Sequence, residues 1–572
     1  VIPQAKALLN RAKMSVQEIR DLSGLSRWIE ENTQNPKEIT KKWGYADHEY
    51  QVDILNDDRQ KVSIKKCSQV GMSEVAVRMA LGLLCVMPNS TAIYTLPSSK
   101  FASKFSKARI DPVIKHSKFL KPLVPAATNS SELKLIDNSF LYITGSFGQT
   151  AAISVPADIL IRDEIDFSNQ KALSTFASRL GHAKDGGITR DFSTPTVSGY
   201  GISRAYDVSS QARYMVKHDK CGEWVAPIFL EDVVIPGFDN DLKLFEPADL
   251  ENYTYRVDEA FVKCPHCGNK ITEVNLAAPE KRQWVHKFDK PDHGGYQVLP
   301  FDVIRVNPIA KTLKQLEEYE RKADWVNFKL GETYEDAETS FINEMIKKYL
   351  IPGQDIGGGC VAGMDVGKTS NILIGKRNAG GGMDVIYAER IKQTEEDYLH
   401  IRVMQLMKQF GVIKLVVDSM PDFTTAMQLI GANPIGKAYG AYYVRKTKTA
   451  FSNTDINDDD SIVNIYRTGS LDAAAKKVNT GVVRLPKCAE TKEIQKQMSN
   501  IKRITATNSD GEQVNTWVKT GPEHYAHALN YLLIADSLCD HRAITGVVPS
   551  LPNIAKAKMR GPSDDNQTKL TV

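Results

Sequence analysis

The 572-residue chain contains no run of 18 or more apolar residues, so no membrane span is expected. Its first residues, VIPQAKALLNRAKM, lack the apolar core of a signal peptide, so export is not expected. The chain also opens on Val1 rather than methionine, as trimming would leave it. Cysteine is scarce: eight residues in so long a chain do not make a disulfide scaffold. Cys67, Cys85, Cys360, Cys488 and Cys539 are isolated in sequence and are expected simply to pack. A charge excess is missing as well. The 73 basic and 69 acidic residues leave a net charge of +4, which neither demands nor excludes nucleic acid, because a local basic channel can hide in a balanced total. No internal repeat is found. One more absence is local. KKCSQVGMSE (65–74) reads as a phosphate-binding loop, yet Gly71-Met72-Ser73 stands where Gly-Lys-Ser/Thr is usual.

The length suggests three or four units at about 150 residues each. Residues 1–45 are mixed in charge and helical in flavour. From 46 to 213 apolar runs (VSIKKC, STAIYTL, LYITG, DILIRDEID, TRDFSTPT) alternate with helical patterns, the signature of an α/β parallel sheet. A Cys/His-bearing, turn-rich module spans 214–275 and a connecting region 276–356. The α/β pattern restarts in 357–542, with strands expected at 360–365, 371–377, 383–391 and 413–418 and a helix at 394–410. The tail 543–572 is rich in Pro, Gly and charge and reads as mobile.

A phosphate loop converges backbone N–H groups on phosphate at a helix N-terminus, adds a lysine for charge, and uses a Ser/Thr hydroxyl for Mg²⁺. Gly71 supplies the turn and Ser73 the hydroxyl; Met72 carries no charge, so Lys66 at the strand end is the candidate cation. Lys65 alternates to the other face of the strand and is the weaker choice. The strand 158–166 ends in Asp163, placed to bind Mg²⁺ through water, and Glu164, placed to polarise the attacking water. Ser193-Thr194-Pro195 follows at the end of another strand. Alone, the loop is an ordinary strand–turn–helix and the acids a solvated strand end; in this order on alternating strands they point to ATP hydrolysis.

Two further clusters carry chemistry. His218, Cys221, Cys264 and Cys267 form two pairs, each spaced by two residues and each followed by glycine, as a tetrahedral Cys₃His Zn²⁺ site requires. The rival, a Cys264–Cys267 disulfide, does not suit a cytosolic chain, and His266 points the wrong way between its neighbours. With four ligands the site reads as structural. Asp365 and Asp418 end the first and fourth strands of a β-β-β-α-β unit, which lie side by side. That is the ribonuclease-H-like arrangement for two-metal phosphodiester cleavage. The acidic run 455–460 reads as a solvated loop.

Taken together, Lys66 through Ser73 as K-x-x-x-V-G-x-S, the Asp163–Glu164 pair and STPTVSGYGISRAY resemble the large terminase subunit of tailed bacteriophages, lambda-like GpA family. The resemblance spans about residues 45 to 540 and implies several roles. Tyr50–Gln51 lies on the adenine side, and Ser193, Thr194 and Pro195 couple hydrolysis to movement. The third nuclease ligand falls at His527, beside His524, with Asp536 the alternative on the same helix. Asp536 lies nine residues on, about two and a half turns, and so projects from the opposite side. A histidine there favours Mn²⁺ over Mg²⁺. The chain departs from the family in Glu74, where some relatives carry a second lysine, and in Ile153, where many carry arginine. Arg109, Arg162, Arg179 or Arg204 would then complete the ATP site from the same or a neighbouring subunit.

The fold implied is thus an α/β chain: an N-terminal P-loop (ASCE-type) ATPase with a parallel sheet, a small zinc-binding insertion and a C-terminal ribonuclease-H-like nuclease. The function implied is an ATP-driven packaging motor and endonuclease that cuts concatemeric phage DNA and moves it into the procapsid. ATP, Mg²⁺ and Zn²⁺ would be its cofactors. Double-stranded DNA, a small terminase subunit (with 1–45 available for contact) and the portal protein would be its partners. A homo-oligomeric ring in the host cytoplasm, at the portal vertex and away from any membrane, would be its setting. Two rivals are a metal-dependent DNA nuclease or recombinase-like protein with a vestigial ATP site, and a non-catalytic zinc-stabilised assembly factor.

Overall fold

The computed structural model describes residues 24–147, 155–183, 186–335, 340–353, 358–392, 396–420, 422–434, 436–444, 454–457, 461–508 and 512–539. The chain divides into two compact units, one of Val1–Pro352, Tyr443–Asp455 and Asn464–His527, the other of Gly353–Tyr442, Ile456–Val463 and Ala528–Val572.

The first unit is built on one mixed sheet. Its strands are β1 (Lys61–Lys66), β2 (Thr91–Leu96), β3 (Leu133–Ile136), β4 (Ser139–Gly145), β5 (Ile159–Asp163), β6 (Ile188–Ser193) and β7 (Ala212–Lys217). The short strands β8 (Trp224–Val225), β9 (Val233–Val234), β10 (Phe261–Lys263) and β11 (Lys270–Ile271) follow in the Cys/His region, and β12 (Arg282–Val285) and β13 (His293–Val298) then return to the sheet. The main order is β12-β7-β13-β1-β6-β5-β2-β4-β3. Pairing is parallel from β7 to β4 and antiparallel at the two edges. The strands expected from the apolar runs are all present. β6 lies between β1 and β5, so Lys66, Ser193 and Asp163 end three adjacent parallel strands on one edge, where α/β sheets bind ligands.

Two expectations about boundaries are corrected. Residues 276–356 are not merely a connection, because β13 pairs along the whole of β1, from Lys61↔His293 to Lys66↔Val298. Its sequence, HGGYQV, lacks an apolar run because close neighbours replace side chains: a Cβ on Gly295 would lie 1.7 Å from Ser209 Oγ. The expected C-terminal region 357–542 also does not form one compact body, since 464–527 cluster with the first unit. There Ile504 buries itself against Val197 and Tyr200.

A buried polar chain crosses the sheet centre. Arg162 grips both oxygens of Asp191 at 2.6 and 2.8 Å, and Ser63 Oγ lies 3.5 Å from Asp191 and 2.9 Å from His293 Nε2. Burial raises the Asp191 carboxyl but Arg162 outweighs it, and the net direction is down. Such a chain favours one register, because a slip would strand buried polar groups.

In the second unit the central strands run in the order Ala438–Val444, Val412–Asp418, Cys360–Asp365, Thr369–Arg377, Met383–Lys392. The first two pairings are parallel and the last two antiparallel. The helix Glu396–Gln409 makes the crossover, and Leu399, Val403 and Leu406 pack with Met364, Ile374 and Val417. The expected strands and helix are in place, with ends shifted by one or two residues.

Candidate functional site

The phosphate loop leaves β1 and enters the helix Met72–Val86 through Gly71, whose φ of 72° few other residues adopt. Lys66 and Lys65 point to opposite faces, as strand alternation requires. Lys66 Nζ donates to Glu164 Oε1 at 2.9 Å, while Lys65 Nζ donates to Glu332 Oε2 at 3.1 Å behind the sheet. Burial works against the Lys66 ammonium, but Glu164 and Asp163 outweigh it and hold its pKa up. Asp163 is pushed up to about 6, by burial first and then by Glu164, while Lys66, Tyr94 and Ser73 pull it back. Ser73 thus lies near enough to Asp163 to influence its carboxyl. Tyr94 holds the second Asp163 oxygen at 2.9 Å.

Glu164 sits at φ 55° and ψ 52°, left-handed backbone that a glutamate adopts only under constraint. Its Oε2 is buried without a partner. One oxygen thus rests on Lys66 and the other is buried without a hydrogen bond.

Tyr50 and Gln51 are buried and brace the loop: Tyr50 Oη and Gln51 Nε2 both donate to the Val70 carbonyl, and Gln51 Oε1 lacks a partner. Trp284 of β12 donates to the Tyr50 carbonyl at 3.0 Å, a support that sequence reasoning missed. Ser193 Oγ donates to the Thr194 carbonyl at 2.8 Å, and Thr194 Oγ1 is buried without a partner. Pro195 follows at the end of β6. Among the arginines, Arg162 is committed to Asp191. Arg109 and Arg78 both pair with Glu74, so the residue standing in for a second lysine gathers cations instead. Arg179 is half-buried, Arg204 is exposed, and Ile153 lies outside the described residues.

The Cys/His quartet converges: one donor atom from each of His218, Cys221, Cys264 and Cys267 lies within 4.8 Å of the others. His218 Nδ1 is 3.3 Å from Cys221 Sγ and 3.4 Å from Cys267 Sγ, and Cys221 Sγ is 4.0 Å from Cys264 Sγ. Ligands at about 2.1 Å (N) and 2.3 Å (S) on tetrahedral corners would stand about 3.5 to 3.8 Å apart, so the quartet fits one small ion. The two arms are built alike. Gly222 N donates to the His218 carbonyl and His218 N to Glu223; Gly268 N donates to Cys264 and Cys264 N to Asn269. The His218 Nε2 lies 3.3 Å from the Lys270 carbonyl, which leaves Nδ1 as the ring nitrogen facing the cysteines. Hydrogen bonds from Asn269 bring the Cys267 thiol down to about 6. Of the isolated cysteines, Cys67 and Cys360 are buried, whereas Cys488 is exposed; the expectation that it packs is corrected, since it lies at the surface turn before the helix Thr491–Ser499.

In the second unit Asp365 and Asp418 end neighbouring parallel strands, with Met364 opposite Val417. Asp418 is pushed up to about 7, by burial first, with the charge of Asp365 adding to it. Asn371, missed in the sequence, faces Asp365 across the ladder, and its Oδ1 is buried without a partner. Two repelling carboxylates beside an orphan oxygen suit hard divalent cations. Asp536 is taken elsewhere: Arg377 clamps it at 2.9 and 3.1 Å. Arg377 ends its strand away from Asn371, six residues or about 20 Å along. His527 clusters instead with the first unit, where it is buried with Nδ1 2.8 Å from Tyr443 Oη. Burial first, then Arg467, His524 and Lys519, bring its pKa down to about 3, so the ring is neutral.

Comparison with known proteins adds a match to part of the chain. Residues 42–284, somewhat under half of the chain, match the family model described as phage terminase large subunit gpA, ATPase domain. No curated protein matches the chain. Among solved structures, the large terminase of bacteriophage HK97 is similar at 9% identity, covering 91% of this chain and 99% of that one with a TM-score of 0.49. The large terminase of a thermophilic bacteriophage is similar at 11% identity, covering 84% and 94%, TM-score 0.29. The large terminase nuclease of thermophilic phage G20c is similar at 15%, covering 34% and 95%, TM-score 0.23. At these identities and scores the structural likenesses assign no residue and no activity. The loop, acid pair and β6 end described above all fall within the matched segment, which is thus similar to the ATPase domain of the gpA phage terminase large subunit.

Proposed function

We propose that this chain is the motor of viral DNA packaging, hydrolysing ATP to drive duplex DNA into a procapsid and cutting concatemeric DNA at a second, metal-dependent site. The observation that carries the reading is the Lys66–Glu164 pair beside Asp163 and Ser73. In the absence of nucleotide the cation and the catalytic acid neutralise each other. The γ-phosphate is a stronger partner for Lys66 than a carboxylate, so substrate binding draws the lysine away. Glu164 is then left with two open oxygens to orient a water and take its proton. Ser73 and Asp163 would hold Mg²⁺, which neutralises charge on the β- and γ-phosphates. An arginine, from this or a neighbouring copy, would complete the site.

Asp365 and Asp418, with Asn371 beside them, would hold the divalent ions that polarise a phosphodiester, with His527 the third ligand that the family resemblance implies. His218, Cys221, Cys264 and Cys267 would hold a structural Zn²⁺ that ties together the insertion between β7 and β12. A small terminase subunit, contacted through residues 1–45, and a portal protein, contacted through the tail 543–572, would be the partners. Both segments lie largely or wholly outside the described residues. The working form would be a ring of copies at the procapsid vertex in the host cytoplasm.

The test is steady-state ATP hydrolysis by the purified chain with and without linear duplex DNA, beside Glu164→Gln. Hydrolysis that rises with DNA and vanishes in the variant is expected. Metal-dependent DNA cutting without ATP turnover, even with procapsids added, would instead favour a nuclease with a vestigial ATP site.

A further inference from the structure

Two buried polar side chains near the nucleotide site take no part in the steps above. Asp166 lies two residues past Glu164, in the turn Ile165–Phe167, and is fully buried. Its Oδ2 accepts from Thr196 N at 2.9 Å and Thr196 Oγ1 at 2.8 Å, and its Oδ1 accepts from Ile202 N at 2.6 Å. Its own amide donates to Ser193 Oγ at 3.2 Å. Thr196 is therefore gripped on its donor side by Asp166. On its acceptor side Asn327 Nδ2 donates to the Thr196 carbonyl at 2.7 Å and also to the Glu332 carbonyl at 2.8 Å. The next residue closes a ring: the Phe328 carbonyl accepts from Ser68 N, inside the phosphate loop, at 2.6 Å. Phe328 also stacks on Phe167, with centroids 5.7 Å apart and planes 8° from parallel.

The ring runs from Lys66 to Glu164, along the turn to Asp166, across to Thr196, on to Asn327 and Phe328, and back to the loop at Ser68. Simple fold-keeping would not require a single threonine to be held at its amide, hydroxyl and carbonyl by two elements lying 30 and 131 residues away. Nor would it place those anchors so near a glutamate in left-handed backbone, a conformation that persists only where its surroundings over-determine it.

We propose that Asp166 and Asn327 are positioning residues for ATP hydrolysis. Through Thr196 they fix the turn carrying Glu164 against the segment that backs the phosphate loop. The acid and the loop then move as one body, and the acid's reach to the attacking water is set by that ring. The stretch between the two Asp166 anchors, Thr196 and Ile202, also packs Val197 and Tyr200 on Ile504, so the same ring borders the strand Ile501–Thr507.

The inference rests on the ATPase reading. It is tested by kcat and KM for ATP in the wild type, Asp166→Asn, Asn327→Leu, Thr196→Val and Thr196→Ser, each with its thermal midpoint. Asp166→Asn and Asn327→Leu should lower kcat about 10- to 100-fold, as misplacement of a catalytic group does, with KM changed less than about threefold. Thr196→Val, which keeps the shape and the backbone bond, should lower kcat by a smaller factor, and Thr196→Ser should restore it. Should Asp166→Asn not fold, Thr196→Val and Thr196→Ser still decide. An active wild type with unchanged kcat in folded Asp166→Asn or Thr196→Val would overturn the inference alone. So would a Thr196→Ser as impaired as Thr196→Val. A wild type without hydrolysis, with procapsids present, would remove the ATPase reading and this inference with it.

Discussion

The nucleotide site and the Asp365–Asp418 site use the same raw material, buried carboxylates at the ends of parallel strands, and resolve it in opposite ways. Around Asp163 and Glu164 the fold brings its own counter-charge, since Lys66 reaches Glu164 from the neighbouring strand end. Around Asp418 it brings a second acid, and the carboxyl rises to about 7. The first site is assembled by the chain and opened by substrate. At the second, on the proposed reading, a cation would offset the repulsion between two desolvated like charges. On that reading, a motor would hold its acid in check between turnovers, while a metal nuclease would pair its acids with cations.

The sharpest way to break the contrast is to remove one acid from each site. Glu164→Gln should lower ATP hydrolysis by about 10²- to 10⁴-fold in a steady-state assay while leaving plasmid cutting intact. Asp365→Asn should abolish cutting in Mg²⁺ or Mn²⁺ and leave hydrolysis intact. A variant that disables both activities would show that the sites are not separately assembled. Next in size is the Cys/His cluster, which resembles the Asp pair in gathering anionic ligands. If the quartet holds zinc as proposed, Cys264→Ser should release it, read by elemental analysis, and cost several kcal/mol of stability, since structural zinc binding is folding energy, about 10 kcal/mol or more in zinc-finger peptides.

A smaller effect concerns pH. With Asp418 at about 7, the carboxyl is protonated below that value and a cation must displace the proton. Mg²⁺ affinity measured by titration calorimetry should therefore fall about tenfold per unit as the pH is lowered below 7, and level off above about 8. Asp163, at about 6, should give the corresponding fall about one unit lower. The smallest effect belongs to Asp536→Asn. Its partner Arg377 is 44% exposed, so the pair should contribute at most about 1 kcal/mol, and cutting should be unchanged. Loss of cutting would return Asp536 to the metal site.

What the sequence revealed was mostly local. The strand ends bearing Lys66, Asp163, Ser193, Asp365 and Asp418 follow from short apolar runs closed by a polar residue, and the Cys/His spacing needs only a tight turn. Pairing over long distances was invisible. Nothing in HGGYQV says that it lies beside β1, because its burial comes from its neighbours rather than from its own apolarity. Asn371 looked like any strand polar residue until the register put it opposite Asp365. Asp166 and Asn327 carry no motif; their importance lies in meeting at one threonine. Even Tyr50 and Gln51, legible by resemblance, turned out to brace the loop through Val70.

The central claim is that Lys66, from the strand end, supplies the charge missing at Met72. It is tested most directly by ATP hydrolysis in Lys66→Ala against Lys65→Met. Lys66→Ala should lose hydrolysis by about 10²-fold or more, as loss of a phosphate-stabilising charge does, while Lys65→Met, whose lysine faces Glu332 behind the sheet, should stay within a few-fold of wild type. The reverse order, or full activity in Lys66→Ala, would mean that the missing lysine is replaced from somewhere else.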